Sequence, residues 1–201
     1  MKKLIKIYLK TKNPDTLHDI RVLARKTLAN LAQQNKTDLY LKNLLKISSK
    51  VRDIDVLKDI CKSKKLKKYL KKVQKKELKP LIKHLKNYKK QIIFLKTKKI
   101  SQNKCKKICK INLLKQNDKK LHKIRIKIKK CRYALNLEKL KILQTTLGDI
   151  HDLYNCIKLK KQFNLKYKKE KKYKKKLTKE ANKQKDSLCK STLLLFKATK
   201  F

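Results

Sequence analysis

Arginine is rare in this chain, although its basic residues are many. Of 63 lysines and arginines only five are arginine, and these are Arg21, Arg25, Arg52, Arg125 and Arg132. A guanidinium group presents a planar fork of N–H donors that grips a phosphate or carboxylate with two hydrogen bonds, which an ammonium group cannot do. A chain that uses lysine nearly everywhere else therefore indicates, by its few arginines, where an anion has to be held.

Most of the arginines recur with histidine in two patterns of the same spacing. Each pattern begins with His-x-x-Arg and continues with basic residues one turn later: His18, Arg21, Arg25 and Lys26 in the first, and His122, Arg125, Lys129, Lys130 and Arg132 in the second. Residues three and four apart share one face of an α-helix, so each set forms a cationic row, about 15 Å long in the second copy. The opposite side of each helix is apolar and is predicted to face the core, with Ile20, Ala24 and Leu31 in the first copy and Ile124, Ile128, Cys131 and Leu135 in the second. A row of this pitch suits an extended ligand that carries a charge on every unit.

The elements that carry these rows are predicted to be helices. One glycine and two prolines are too few for the turns of a many-stranded sheet. Asn13-Pro14-Asp15 is typical of a helix start and predicts a helix to about Gln34. The next helix is predicted to be capped by Thr37-Asp38, to be interrupted at Ser48-Ser49 and to resume to about Cys61. An amphipathic helix is predicted from Ser63 through Leu95, with a bend at Pro80. A turn at 101–103 and a short helix follow, and the last helices are predicted over 118–138, 140–162 and 165–198.

The chain also repeats itself. Residues 17–26 match residues 121–130 at every other position or better, and residues 48–54 align with residues 147–153. We therefore predict one all-α domain over 1–201, built from two pseudo-symmetric helical bundles of about residues 1–100 and 101–201. Long amphipathic helices would surround a basic central groove lined by the two rows. Side chains must supply the donors there, because a single glycine excludes a glycine-rich phosphate loop.

Charge and apolar pattern narrow the class of protein. The formal net charge of +49 gives affinity for almost any polyanion, because binding releases condensed counterions.

The longest apolar run, Leu193–Phe196, is far short of the ~20 residues of a membrane span, and lysines interrupt the apolar stretch at the start of the sequence. The six cysteines show no Cys-x-x-Cys pair and no zinc spacing, so we expect unpaired core residues in a reducing cytoplasm, with no metal, cofactor or membrane partner.

Four ordered motifs closely resemble those of the CHAD domain, the conserved histidine α-helical domain. They are His18-x-x-Arg21-x-x-x-Arg25-Lys26, Arg52-Asp53-Ile54-Asp55-Val56, His122-x-x-Arg125-x-x-x-Lys129-Lys130-x-Arg132-Tyr133, and Leu143-Gln144-x-x-Leu147-Gly148-x-x-x-Asp152. The resemblance covers essentially the whole chain. It implies two pseudo-symmetric helical bundles whose basic central groove binds inorganic polyphosphate, with contacts from the basic residues of these motifs. Ser48-Ser49 stand where the family has Leu-Gly, and for Arg52 an ion pair with Asp53 is an open alternative.

We therefore predict a non-enzymatic protein that binds polyphosphate, with polyphosphate granules as its candidate location. The main alternative is a basic nucleic-acid-binding protein, although four Phe, eight Tyr and no Trp offer few surfaces for base stacking. A polyphosphate-hydrolysing enzyme is a third possibility, but the four glutamates are scattered, so we expect no hydrolysis with Mg²⁺ or Mn²⁺.

The histidines divide into two groups. His18 and His122 are expected to protonate beside a polyanion, so that affinity increases from about pH 8 to about pH 6. His84 and His151 have no basic row beside them in the sequence. We predict that these two are structural or incidental.

Overall fold

The computed structural model of the chain describes residues 1–94, 105, 107–134 and 138–198, with side chains described for all of these except 134 and 191–198. Within these residues the chain is mainly helical, with seven α-helices and one short two-stranded ribbon, which confirms the all-α class. The chain divides into two compact units, Met1–Lys99 and Ile100–Phe201. No helix of the described residues is long and apolar enough to cross a membrane.

The first unit places its basic row on the second of four helices. Its elements are α1 (Lys2–Thr11), α2 (Pro14–Gln33), β1 (Lys36–Asp38), α3 (Leu39–Ile60), α4 (Lys64–Lys86) and β2 (Ile92–Phe94), and β1 pairs antiparallel with β2. The predicted start of α2 is confirmed, because Asn13 Oδ1 accepts hydrogen bonds from the backbone N–H of Asp15 at 2.7 Å and of Thr16 at 3.4 Å. Asp38 caps α3 in the same way through the N–H of Leu41 at 3.2 Å.

Two predicted boundaries in this unit are wrong. Helix α3 runs through Ser48 without interruption, and that buried hydroxyl is satisfied by donating to the carbonyl of Leu44 one turn back, at 2.6 Å. The amphipathic helix ends at Lys86 instead of continuing through Leu95, which lies outside the described residues. Ile92 continues the helical spacing in sequence, but β1 offers a backbone partner, and Ile92 pairs there with Asp38.

The packing of α2 sorts its residues by face. Leu17, Ile20 and Ala24 are fully buried, where α2 packs against α1 and α3. Ile20 and Ala24 belong to the face predicted for the core, of which Leu31 is only partly buried, and Leu17 lies one turn before Arg21. Burial of these residues turns much of the row away from the core. The burial of α2 therefore follows the pattern expected from the sequence, with Arg21 as an exception.

The second unit has a similar order of long helices. After a short 3-10 turn (Leu113–Lys115) come α5 (Asp118–Ala134), α6 (Leu140–Gln162) and α7 (Lys168–Ala198), and α6 packs against both α5 and α7. The predicted bounds of α6 are confirmed at both ends. Ile124, Ile128 and Cys131 are buried on α5, on the face predicted for the core. The predicted turn at 101–103 and Leu135 lie outside the described residues.

The prediction of unpaired cysteines is wrong for all six, because none of them is free. Cys105 is bonded to Cys131 on α5, and Cys109 is bonded to Cys189 on α7, at sequence separations of 26 and 80 residues. The spacing rules that exclude zinc sites cannot detect such pairs, since a disulfide depends on which residues meet in space. The argument from unpaired cysteines for a reducing compartment therefore does not hold.

Candidate functional site

In the first unit the basic residues of α2 lie near Arg52 on α3. The pKa of His18 is lowered from 6.5, first by desolvation and then by the positive charges of Arg52, Arg25 and Arg21. The carboxylate of Asp19 opposes this shift. Charges perturb a pKa in this way only at close range. We call His18, Arg21, Arg25 and Arg52 the first cationic cluster.

Arg21 points into the packing of the first unit instead of into solvent. Arg21 is only 8% exposed, and its side chain lies between α2 and α3. Nη1 donates to the carbonyl oxygen of Leu45 at 2.9 Å and to Oγ of Ser48. Burial lowers the pKa of Arg21 to about 10, helped by Arg25 and opposed by Asp53. The guanidinium therefore stays charged at neutral pH and holds α2 against α3, although the sequence predicted a direct ligand contact.

In the second unit His122 on α5 meets His151 on α6. Their ring centroids are 4.4 Å apart, and Nδ1 of His151 lies 3.2 Å from Oδ1 of Asp152. The pKa of His122 is lowered, first by desolvation and then by His151 and Arg125. We call His122, Arg125 and His151 the second cationic cluster.

The sequence predicted that His151 is structural or incidental, and the structure places its ring beside that of His122. The sequence held a signal for it, since the alignment of residues 48–54 with 147–153 sets His151 opposite Arg52. Each of these two residues follows its basic row in the chain and lies on the next long helix. The alignment of His151 with Arg52 therefore indicated the place of His151 better than its lack of basic neighbours in the sequence did.

Gly148 lets the guanidinium of Arg125 lie against α6. This glycine is buried, and a Cβ added to it would come within 3.3 Å of Nη2 of Arg125. In the part of the chain that the structure describes, Nε of Arg125 and Nδ1 of His122 are buried without a hydrogen-bond partner. Buried polar atoms without a hydrogen-bond partner cost free energy. The second cluster therefore contains two polar atoms, Nε of Arg125 and Nδ1 of His122, that could form hydrogen bonds with a ligand.

Carboxylates adjoin the second cluster. Asp149 lies near Arg125, and its pKa is raised first by burial and then by repulsion from Asp152, whereas the charge of Arg125 lowers it. The second cluster therefore combines one guanidinium and two histidines with nearby acids.

The remaining predicted ligands occupy different environments. Lys26 and Lys130 are exposed and Lys129 is partly buried. Arg132 is engaged by two side chains: its Nε and Nη2 donate to Glu138 at 3.1–3.3 Å, and Nη1 donates to Oε1 of Gln144 at 3.4 Å. The structure thus brings the start of each row together with a neighbouring helix, while Arg132 is paired with an acid that the sequence analysis did not single out.

His84 has a structural environment. Its ring stacks on Tyr40 with centroids 4.1 Å apart, and the hydroxyl of Tyr40 donates to the carbonyl of His84 at 2.9 Å. Among the described residues, no three His, Cys, Asp or Glu side chains are grouped as metal ligands.

Comparison with known proteins identifies no relative. No family model matches the chain, and neither a curated protein nor a solved structure matches it. The similarity to the CHAD domain accordingly depends on the four motifs quoted above.

Proposed function

We propose that this chain is a CHAD-type protein that binds inorganic polyphosphate without catalysing its hydrolysis. The contacts come from the exposed ends of the two rows and from the two cationic clusters, in which Arg21 acts by holding α2 against α3. The observation that carries the proposal is that basic side chains from two helices meet in each unit. The rings of His122 and His151 lie 4.4 Å apart, and Arg52 on α3 lies close enough to His18 on α2 for its charge to lower the pKa of His18. The internal repeat, the basic groove and the association with polyphosphate granules are part of the same proposal.

Convergent positive charges favour an anionic ligand for a simple reason. Holding several cations close together in a folded chain costs electrostatic free energy, and an anion bound among them recovers it. The rows continue along the helices with basic residues spaced one turn apart, so the matching ligand is a linear polyanion instead of a single phosphate. Polyphosphate provides flexible, closely spaced charges and has no bases that would need aromatic surfaces.

A competition experiment tests the choice of ligand against the nucleic-acid alternative. Labelled long-chain polyphosphate is bound to the full chain, and duplex DNA or unlabelled polyphosphate is added at equal phosphate concentration. We expect unlabelled polyphosphate to displace the label at a phosphate concentration at least about ten times lower than duplex DNA requires. Counterion release alone gives no such preference, so this result would indicate a site that fits polyphosphate. Equal or better displacement by DNA would favour the nucleic-acid function.

We also expect the affinity for polyphosphate to rise as the pH falls. In the free chain His18 and His122 protonate below the ordinary pKa of 6.5, because of desolvation and of their cationic neighbours. Bound phosphates favour the imidazolium form and raise both pKa values, so binding takes up protons in the interval between the free and bound values. Affinity should therefore increase as the pH is lowered through this interval and level off below it.

The measurement is a series of titrations between about pH 8 and about pH 5.5, across the range in which histidine changes charge. The variant His122→Gln should lose most of the dependence on pH that comes from the second cluster. His18→Gln should lose less, because three arginines keep the first cluster positive. An unchanged pH profile in the double variant of His18 and His122 would refute the assignment.

A further inference from the structure

All three nitrogens of the Arg132 guanidinium make hydrogen bonds within the second unit. Glu138 accepts hydrogen bonds from both Nε and Nη2, so its carboxylate occupies the bidentate edge that a phosphate would use. Gln144 accepts from the remaining nitrogen, Nη1. Arg132 is therefore held in place, but it cannot offer its bidentate edge to a phosphate while Glu138 is bound.

The two members of this ion pair differ strongly in exposure. The side chain of Arg132 is 12% exposed, whereas that of Glu138 is 64% exposed. A carboxylate so open to water contributes little to an ion pair, because water and salt screen it and it recovers its hydration when released. The carboxylate also lies just before the start of α6 at Leu140, where the positive end of the helix dipole favours an acid.

We propose that Glu138 is a displaceable carboxylate that competes with phosphate for Arg132 and so limits the affinity of the second row. This inference rests on the proposed function and adds a residue that determines its strength. Phosphate replaces the carboxylate on the same edge of the guanidinium, while Gln144 keeps the guanidinium in orientation. Only a ligand that makes several contacts along the row gains enough to displace Glu138 readily.

A double-mutant cycle tests this competition. The variants are Glu138→Gln, Arg132→Gln and their combination, and the probes are tripolyphosphate and long-chain polyphosphate, with binding measured by calorimetry on the full chain. The matched control is Asp118→Asn, which removes an acid that accepts two hydrogen bonds from Lys174 in the same unit, at 2.7 and 2.9 Å. The control makes the same change in net charge without releasing a guanidinium fork.

We expect Glu138→Gln to tighten binding by about 3-fold to 10-fold and Asp118→Asn by less than about 2-fold. In the Arg132→Gln background, Glu138→Gln should change the affinity by less than about 2-fold, since the competed group is gone. The resonance of the Arg132 Nε–H should move when polyphosphate is added to the wild type. Equal gains in Glu138→Gln and Asp118→Asn, or a gain that persists without Arg132, would overturn the inference.

Failure of the proposed function gives a different result. If the wild type prefers duplex DNA to polyphosphate but the coupling between Glu138 and Arg132 remains, then the competition is real and the ligand is a different polyanion. If the wild type prefers polyphosphate and the coupling is absent, the function stands and the role of Glu138 is rejected.

Discussion

Replacing His18, Arg25 and Arg52 together by glutamine is expected to lower the affinity for long-chain polyphosphate by about 100-fold or more. These residues meet from two helices in the first cationic cluster, as the lowered pKa of His18 indicates. A hydrogen bond to a charged group contributes about 1.5–3 kcal/mol, so losing three such contacts produces an effect of this size even after partial compensation. Arg21 is retained in this variant because it supports the fold of the first unit.

The matched control replaces three exposed lysines of α7, Lys171, Lys172 and Lys176, by glutamine. It removes at least as much charge but no cluster, so we expect a loss of less than about 5-fold, from weaker long-range attraction. Affinity is measured at several salt concentrations, since each lost phosphate contact lowers the steepness of the salt dependence. Equal losses in the two variants would reduce the proposed function to general attraction by a basic surface.

The second large effect is on stability and concerns Arg21. Arg21→Ala is expected to lower the free energy of unfolding by about 2–4 kcal/mol, because a long buried side chain is lost between α2 and α3. It also removes the donor that contacts the Leu45 carbonyl and Ser48. Arg21→Met should cost less than about 1 kcal/mol, since methionine fills similar space and removes a buried charge that lies near Arg25.

Binding distinguishes the two possible roles of Arg21. If it acts by holding α2 against α3, Arg21→Met keeps the affinity for polyphosphate within about 3-fold of the wild type, whereas Arg25→Gln loses more than this. Denaturant unfolding gives the stability and a polyphosphate titration gives the affinity of each variant. A loss of affinity in Arg21→Met as large as that in Arg25→Gln would show that Arg21 contacts the ligand directly.

The two clusters should respond differently to conditions. The first contains three arginines, which stay charged at every physiological pH. The second contains one arginine, the rings of His122 and His151 in contact and the nearby acid Asp149, so a larger share of its charge depends on the protonation of His122, whose pKa is lowered. We therefore expect the first cluster to give steady affinity and the second to make the total affinity depend on pH.

The sequence predicted most helix starts and the apolar faces because these depend on residues close together in the chain. The cap at Asn13 involves the two N–H groups of Asp15 and Thr16, and the buried face of α5 repeats every three or four residues. Local patterns also misled where a distant partner intervened. The helical spacing continues to Ile92, but pairing with β1 draws that residue into a strand.

By itself, the sequence determined the helical class, the cationic rows and the helix faces that carry them, since helix periodicity and capping act over a few residues. Only the tertiary structure shows that Arg21 is buried against Ser48 and that the ring of His151 lies beside that of His122. It also shows that Glu138 forms an ion pair with Arg132 and which cysteines are bonded to each other. These contacts join residues from 6 to 80 positions apart. Which of them form depends on how helices pack, because packing brings together side chains that no local pattern relates.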